Sequence, residues 1–312
     1  MRRTVALGAL AALAVAGHGV RSSQAAFTAP VKSNAATFST AADWLAPAVT
    51  LTAPADGSYS KTTSVTLSGA AGAATGDATT VTLNIYSGSA ATGTPVLTRS
   101  VTRSGSTWST SVTTLGQGTY TAQATQADSG GNTGKSATRT FTIDTTAPTR
   151  VSIAAANGTG TAGHLDAGDT ITFTYSEPML ASSILTGWTG TSGATVVVRF
   201  FSGTNDAFTV LDSASAANVK LDAGTTAGGG VSLASANYVT GQVNFTATLT
   251  QSADKRSFVV TLGSPDIASR VVATPVAAKN MTWTPKAGPT DLAGNALAST
   301  TAYTETDADQ DF

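Results

Sequence analysis

The 312-residue sequence predicts an all-β protein, two tandem β-sandwiches after an N-terminal signal helix, and three observations carry that expectation. Short runs of Thr alternating with Val, Leu, Ile or Phe recur along the chain, the period-two pattern of half-buried strands. Gly-rich turn signals separate these runs at regular spacing. The stretch Ile143-Asp144-Thr145-Thr146-Ala147-Pro148 stands between two strand patterns. Pro148 lacks an amide hydrogen and forces Ala147 towards extended geometry, so pairing stops there and a new unit starts.

Composition narrows the class. Charged residues are 11% and hydrophobic residues 41%, too little charge and too much apolar content for a disordered chain. Formal net charge is −1, and without the arginines of residues 1–25 the chain holds 14 basic against 18 acidic residues. No basic patch points to nucleic acid. Cysteine is absent, so there is no disulfide framework and no thiolate metal site. Stability must come from core burial, which two domains above about 100 residues can supply.

Residues 1–25 read as a signal peptide. Arg2 and Arg3 precede an apolar run from Val5 to Ala16, and Ser23-Gln24-Ala25 offers small residues at a cleavage site. The run is too short to span a bilayer, and no other run approaches the roughly 18 apolar residues a membrane helix needs. The expected location is therefore secreted, extracellular or associated with the cell envelope, with no membrane span in the mature protein. No Leu-Pro-x-Thr-Gly sorting motif or apolar tail supports covalent wall anchoring. Residues 26–46 read as an extended segment in which Phe27, Ala29 and Val31 alternate with Thr28, Pro30 and Lys32. Such a strand suits addition to the sheet edge of a second copy.

Seven runs fill residues 47–147: Val49–Ala53, Ser64–Ser68, Thr80–Tyr86, Val96–Arg103, Thr107–Thr113, Thr119–Gln126 and Lys135–Ile143. Trp108 and Tyr86 are the bulky core candidates. Tyr120, entering the sixth run, is placed to bond back to upstream backbone. Asp128-Ser129-Gly130-Gly131-Asn132 reads as a turn in which the aspartate bonds its own backbone, rather than as a cation site. In residues 148–304 the clearest stretch is Gly168 to Met179, in which Ile171, Phe173 and Tyr175 share one face and Pro178 ends the strand. Further runs are Ala194–Phe201, Gln242–Thr250 and Ser257–Leu262, with Gly224 to Gly230 expected as a flexible loop. Residues 305–312 read as an acidic, frayed tail, because Asp307-Ala308-Asp309-Gln310-Asp311 lacks the later glycine and glutamate of a calcium loop.

Several of these motifs resemble known families. Ala53-Pro54-Ala55-Asp56-Gly57, Gly118-Thr119-Tyr120, Asp128 with Gly131-Asn132, and Asp144-Thr145-Thr146-Ala147-Pro148 resemble the bacterial Ig-like domains of cell-surface proteins, over about 100 residues. The Gly168-Asp169 strand ending in Ser176-Glu177-Pro178-Met179, with Asp291-Leu292-Ala293-Gly294-Asn295, resembles a second Ig-like type found in S-layer and large surface proteins. Against that type, about 186–272 is an insertion. Ala25-Ala26-Phe27-Thr28-Ala29 through Asp43-Trp44-Leu45-Ala46-Pro47 resembles the leader of actinobacterial biofilm-fibre subunits. The resemblance implies a structural or adhesive module of the envelope or extracellular matrix and no reaction. Its expected partners are a cell-surface or matrix protein or polysaccharide, or a second copy through the N-terminal strand.

The search for chemistry gives no catalytic residue, no cofactor and no metal site as the expectation. His164 is the one histidine outside the leader, and no Gly-x-Ser-x-Gly elbow accompanies it. Asp166, Asp169 and Glu177 offer carboxylates, for which turn roles are expected over a glycosidase pair. Trp188 and Trp283 would serve a carbohydrate-binding module if exposed, and core packing is the expectation. A structural calcium is not expected at the hinge, since Asp144 is its single acid and calcium takes six to eight oxygens. The competing readings are thus a carbohydrate-binding accessory module and a secreted hydrolase.

Overall fold

The computed structural model describes residues 45–306 apart from 218 and 235, together with residue 312. The signal segment, most of the extended segment 26–46 and residues 307–311 lie outside the described residues. Among the described residues no helix is long and apolar enough to cross a membrane.

The chain up to Ile143 forms eight strands: β1 (Ser58–Ser60), β2 (Val65–Ala70), β3 (Thr80–Ser87), β4 (Leu97–Thr102), β5 (Thr107–Val112), β6 (Gly118–Ala127), β7 (Thr133–Lys135) and β8 (Arg139–Ile143). One sheet has the order β1-β8-β6-β3-β4, with β7 on β6, and the other pairs β2 with β5. All these pairs are antiparallel except β1 with β8. Alternation sends Val81, Leu83 and Ile85 of β3 and Val65 and Leu67 of β2 into one core with Trp108, Phe141 and Ile143. The Trp108 indole N–H donates to the Thr50 carbonyl at 3.0 Å, satisfying the one polar atom of the largest buried side chain here. Tyr120 Oη donates to the Gly116 carbonyl at 3.1 Å, as its place at the start of β6 predicts.

Three details differ from expectation. Val49–Ala53 runs beside β2, with Thr50 N–H on Ala70 O and Thr52 N–H on Ser68 O, but forms no full strand because Pro54 removes the next donor. The run Lys135–Ile143 splits into β7 and β8, because the Ser136 hydroxyl accepts from Ala124 N–H and donates to Ala137 O. Tyr86 is half-buried and outside the core, since the alternation that buries Leu83 and Ile85 turns it to the other face.

Beyond the hinge the strands are β9 (Arg150–Ala156), β10 (Thr170–Tyr175), β11 (Ala194–Phe201), β12 (Asp206–Asp212), β13 (Val231–Leu233), β14 (Val243–Gln251), β15 (Ser257–Pro265), β16 (Met281–Trp283) and β17 (Tyr303–Thr304), with a single helical turn α1 (Ala181–Ile184). They make one antiparallel sheet in the order β17-β16-β13-β12-β11-β14-β15-β10-β9. The sheet curls into sandwich-like layers, and Arg150 Nη2 at the start of β9 reaches the Ala302 carbonyl beside β17 at 3.4 Å. The core holds Phe173, Tyr175, Phe200, Phe245 and Phe258 around Trp283, whose ring meets Phe173 at 5.2 Å and Tyr175 at 5.6 Å. It shares no residue with the core before the hinge.

Two expectations for this region are corrected. The Gly224 to Gly230 loop is hydrogen-bonded and packed: Gly230 N–H donates to Phe208 O at 2.9 Å, and a Cβ on Gly229 would lie 2.6–2.8 Å from atoms of Ala207 and Phe208. The glycines are there for close approach, not for freedom. The acidic tail is not frayed at Phe312, which is buried against Tyr238 at 5.3 Å and Phe200 at 6.1 Å, with its carbonyl accepting from Gly163 N–H. The apolar ring outweighs the acidic residues before it, which alone suggested solvent.

Candidate functional site

The hinge is bonded on both sides. Asp144 N–H donates to Ser60 O at 2.9 Å, and the Thr145 and Thr146 hydroxyls donate to Gln117 Oε1 at 3.2 and 2.9 Å. Asp144 Oδ1 accepts from Thr146 N–H at 3.1 Å, a side-chain turn that stiffens the segment. On the far side Ala298 N–H donates to Pro148 O at 2.8 Å, and Thr149 makes two 2.9 Å bonds with Ser176, its carbonyl accepting from Ser176 N–H and its N–H donating to Ser176 Oγ. Asn295 completes the clasp: its side-chain amide donates to the Asp144 carbonyl at 2.8 Å.

Asp291 positions that amide. Its Oδ1 accepts from Asn295 N–H and its Oδ2 from the Asn295 side-chain amide, both at 2.8 Å, and Gly294 supplies the positive φ of 88° the turn needs. Glu177, at the end of β10, projects into the same place. The carboxylates of Asp144, Glu177 and Asp291 offer oxygens all within 4.8 Å of one another. Asp291 is buried and Glu177 is half-buried. Glu177 Oε1 is enclosed and accepts no hydrogen bond. Burial pushes the Glu177 carboxyl up to about 7, the negative charges of Asp144 and Asp291 and a hydrogen bond with Asp144 adding to the effect, against a small opposing pull from Arg256.

Three converging carboxylates need a counter-charge, which a proton or a hard cation supplies. The oxygen-only donor set and the enclosed, unpaired Glu177 Oε1 fit the chemistry of calcium. The premise that the hinge has a single acid is therefore corrected. The fold adds Glu177 and Asp291 from distant parts of the sequence, which a count along the hinge cannot see. The repeated Asp-x-x-Gly-Asn pattern was the signal available for Asp291.

The other sequence candidates disperse. His164 Nδ1 lies 3.2 Å from Asp166 Oδ1 in the loop between β9 and β10. Asp166 Oδ2 accepts from Thr161 N–H, and Asp169 accepts from Gly158 and Asp166 N–H, so both aspartates organise that loop. Burial raises the Asp169 carboxyl. Glu177 stands at the opposite end of β10, so the three acids do not form a pair of the glycosidase kind. Trp188 is 7% exposed and Trp283 is fully buried, with their indole N–H groups on Ser192 O and Leu221 O at 2.7 and 2.8 Å. Neither presents a face for sugar stacking. Asp128 makes the expected turn, taking Asn132 N–H at 2.7 Å and its side-chain amide at 2.8 Å.

No protein-family model matches the chain, and no curated protein matches it. Among solved structures, the chain is similar to the fibronectin(III)-like modules of Clostridium thermocellum CbhA, with 12% identity over 70% of this chain and 90% of that one, at a TM-score of 0.27. It is also similar to dimeric latent PorU from Porphyromonas gingivalis, with 13% identity over 73% of this chain and 20% of that one, at a TM-score of 0.24.

Proposed function

We propose that this chain is a secreted, non-enzymatic Ig-like protein of the bacterial envelope or extracellular matrix, in which two β-modules, residues 47–147 and 148–304, are held at a bonded junction and serve adhesion, assembly or spacing. The observation that carries the reading is the clasp of the hinge by Asn295 on Asp144 and by Ala298 on Pro148. A linker that only tethered two domains would leave its backbone groups to water. Here the carbonyls at both of its ends are taken by the following module. Supporting it, the two cores share no residue, and the Asp166 and Asp169 carboxylates beside His164 accept from backbone N–H groups of their own loop. Partners are then surface or matrix proteins or polysaccharides, or a second copy through residues 26–31.

The test has three arms. Fractionation of producing cells should place the protein in the medium or at the cell surface, and purified protein should change cell aggregation or matrix retention. Turnover on ester, peptide and glycoside substrates that is lost on His164→Ala would replace this reading with a hydrolase. Residues 46–147 and 148–312, expressed separately, should each give a cooperative unfolding transition. Failure of both would refute the two-module organisation.

A further inference from the structure

Between β12 and β13 the chain alternates: Val219 and Leu221 are buried in the core, and Lys220 between them is half-buried on the other side. The Lys220 backbone N–H donates to Ile184 O at 2.9 Å, at the end of α1. Its side chain runs over Gly288, where a Cβ would lie 3.5 Å from Lys220 Cδ and 3.4 Å from its Nζ. Gly288 holds a φ of 107°, which glycine adopts without strain. It belongs to the stretch Pro285-Lys286-Ala287-Gly288-Pro289, whose two prolines are buried. That stretch also sets the place of Lys286, whose ammonium donates to Ala217 O at 2.8 Å.

Lys220 and Lys286 line one cavity of about 410 Å³ with Leu185, Thr186, Asp212 and Ala217. This lies in the size range of small-ligand pockets. Asp212 is the one acid of the lining, and its Oδ1 takes the N–H groups of Ala214 and Ala216 in its own loop at 3.0 and 2.8 Å. A second acid, Asp222, is buried and takes the Thr209 hydroxyl and the N–H groups of Val210 and Gly224 at 2.6, 2.9 and 2.8 Å. Burial raises the Asp222 carboxyl, and these three hydrogen bonds and then the charge of Lys286 oppose that. Lys286 is therefore partly committed to Asp222. Among the described residues the Lys220 ammonium has neither a hydrogen bond nor an ion pair. Two half-buried ammonium groups on one cavity wall repel each other unless an anion comes between them.

We infer that this cavity binds a single oxyanion, a carboxylate or phosphodiester unit of an anionic surface polymer, with Lys220 as its main contact and Lys286 beside it. The inference deepens the surface-protein reading and rests on it for the source of the ligand. An ammonium is a compact point charge and accepts either oxyanion geometry, where the planar fork of arginine would select. Lys286 keeps two ammonium hydrogens beyond the one given to Ala217. Leu185 and Ala217 give the carbon skeleton of the ligand an apolar wall.

The test is isothermal titration calorimetry on the full chain at low salt, with an oligogalacturonate and an oligomer of glycerol phosphate as probes and a neutral glucan of similar length as the control. Binding of at least one anionic probe is expected, weakened by added salt and at least about tenfold weaker in Lys220→Gln. Which probe binds identifies the source of the oxyanion. Since the Lys220 ammonium makes no internal bond, Lys220→Gln should keep the native melting temperature. Lys61→Gln, exposed between β1 and β2, removes the same charge elsewhere and should bind as the native chain does. Binding of neither anionic probe, equal binding of the glucan, native affinity in Lys220→Gln or equal weakening by Lys61→Gln would overturn the inference. Each of those results leaves the protein's place at the cell surface standing, which fractionation alone decides.

Discussion

The side-chain amide of Asn295 reaches the backbone carbonyl of Asp144 at 2.8 Å while holding Asp291 Oδ2 at the same distance. One residue thereby ties a turn of the second module to the last acid of the first. The two contacts have different consequences: the bond to Asp291 shapes the turn, and the bond to Asp144 fixes the hinge.

Asn295→Ala removes both. The Asp291 carboxylate, buried, keeps only a backbone donor from this turn, and the Asp144 carbonyl loses its partner. Leaving buried acceptors unsatisfied costs about 1–3 kcal/mol. A denaturant titration should show that loss in the transition of residues 148–312. Asn132→Ala should lower the stability of residues 47–147 by less, since its turn is built alike but Asp128, unlike Asp291, is not buried.

Glu177 makes the junction sensitive to pH. Its folded carboxyl titrates near 7, above the ordinary 4.5 of an unfolded chain. The folded state therefore binds the extra proton between those values. The contribution to stability is fully present below about pH 4.5 and is lost as pH rises through 7. Melting temperature in chelator should fall from pH 5.5 to pH 8, and Glu177→Gln should flatten that fall. Calcium supplies the other counter-charge, so at pH 8 millimolar calcium should raise the melting temperature of the chelated native protein and leave Glu177→Gln nearly unmoved. A native protein indifferent to both would show the carboxylates are not coupled.

Phe312 should matter more than its place in the sequence suggests. It is fully buried among aromatic rings. Phe312→Ala should destabilise the second module by about 3–5 kcal/mol, the usual cost of emptying such a position. A change within a few tenths of a kcal/mol would mean the ring is not held in the core.

Much of the strand pattern was legible because alternation writes burial directly into the sequence: Ala194–Phe201 is a strand with the bounds its pattern predicts. Tyr120 was legible because its bond is local, four residues upstream. The order of the nine-stranded sheet was not, since pairing β11 with both β12 and β14 depends on contacts that periodicity does not encode. The junction was half legible. Asp144 and the Asp-x-x-Gly-Asn turn each stood out alone. Their meeting with Glu177 did not, because it joins three points of the chain whose separation only the fold closes. Ser58–Ser60 was missed altogether, being too short for its alternation to register, though it pairs in parallel with β8.

The most direct test of the bonded junction is a distance distribution by pulsed electron paramagnetic resonance. The chain has no cysteine, so Ser100→Cys on β4 and Thr248→Cys on β14, both exposed, give two unique label sites, one in each module. The account predicts a single narrow distance distribution in the otherwise native chain, broadened by Asn295→Ala. A broad distribution in the native chain, unchanged by Asn295→Ala, would contradict it.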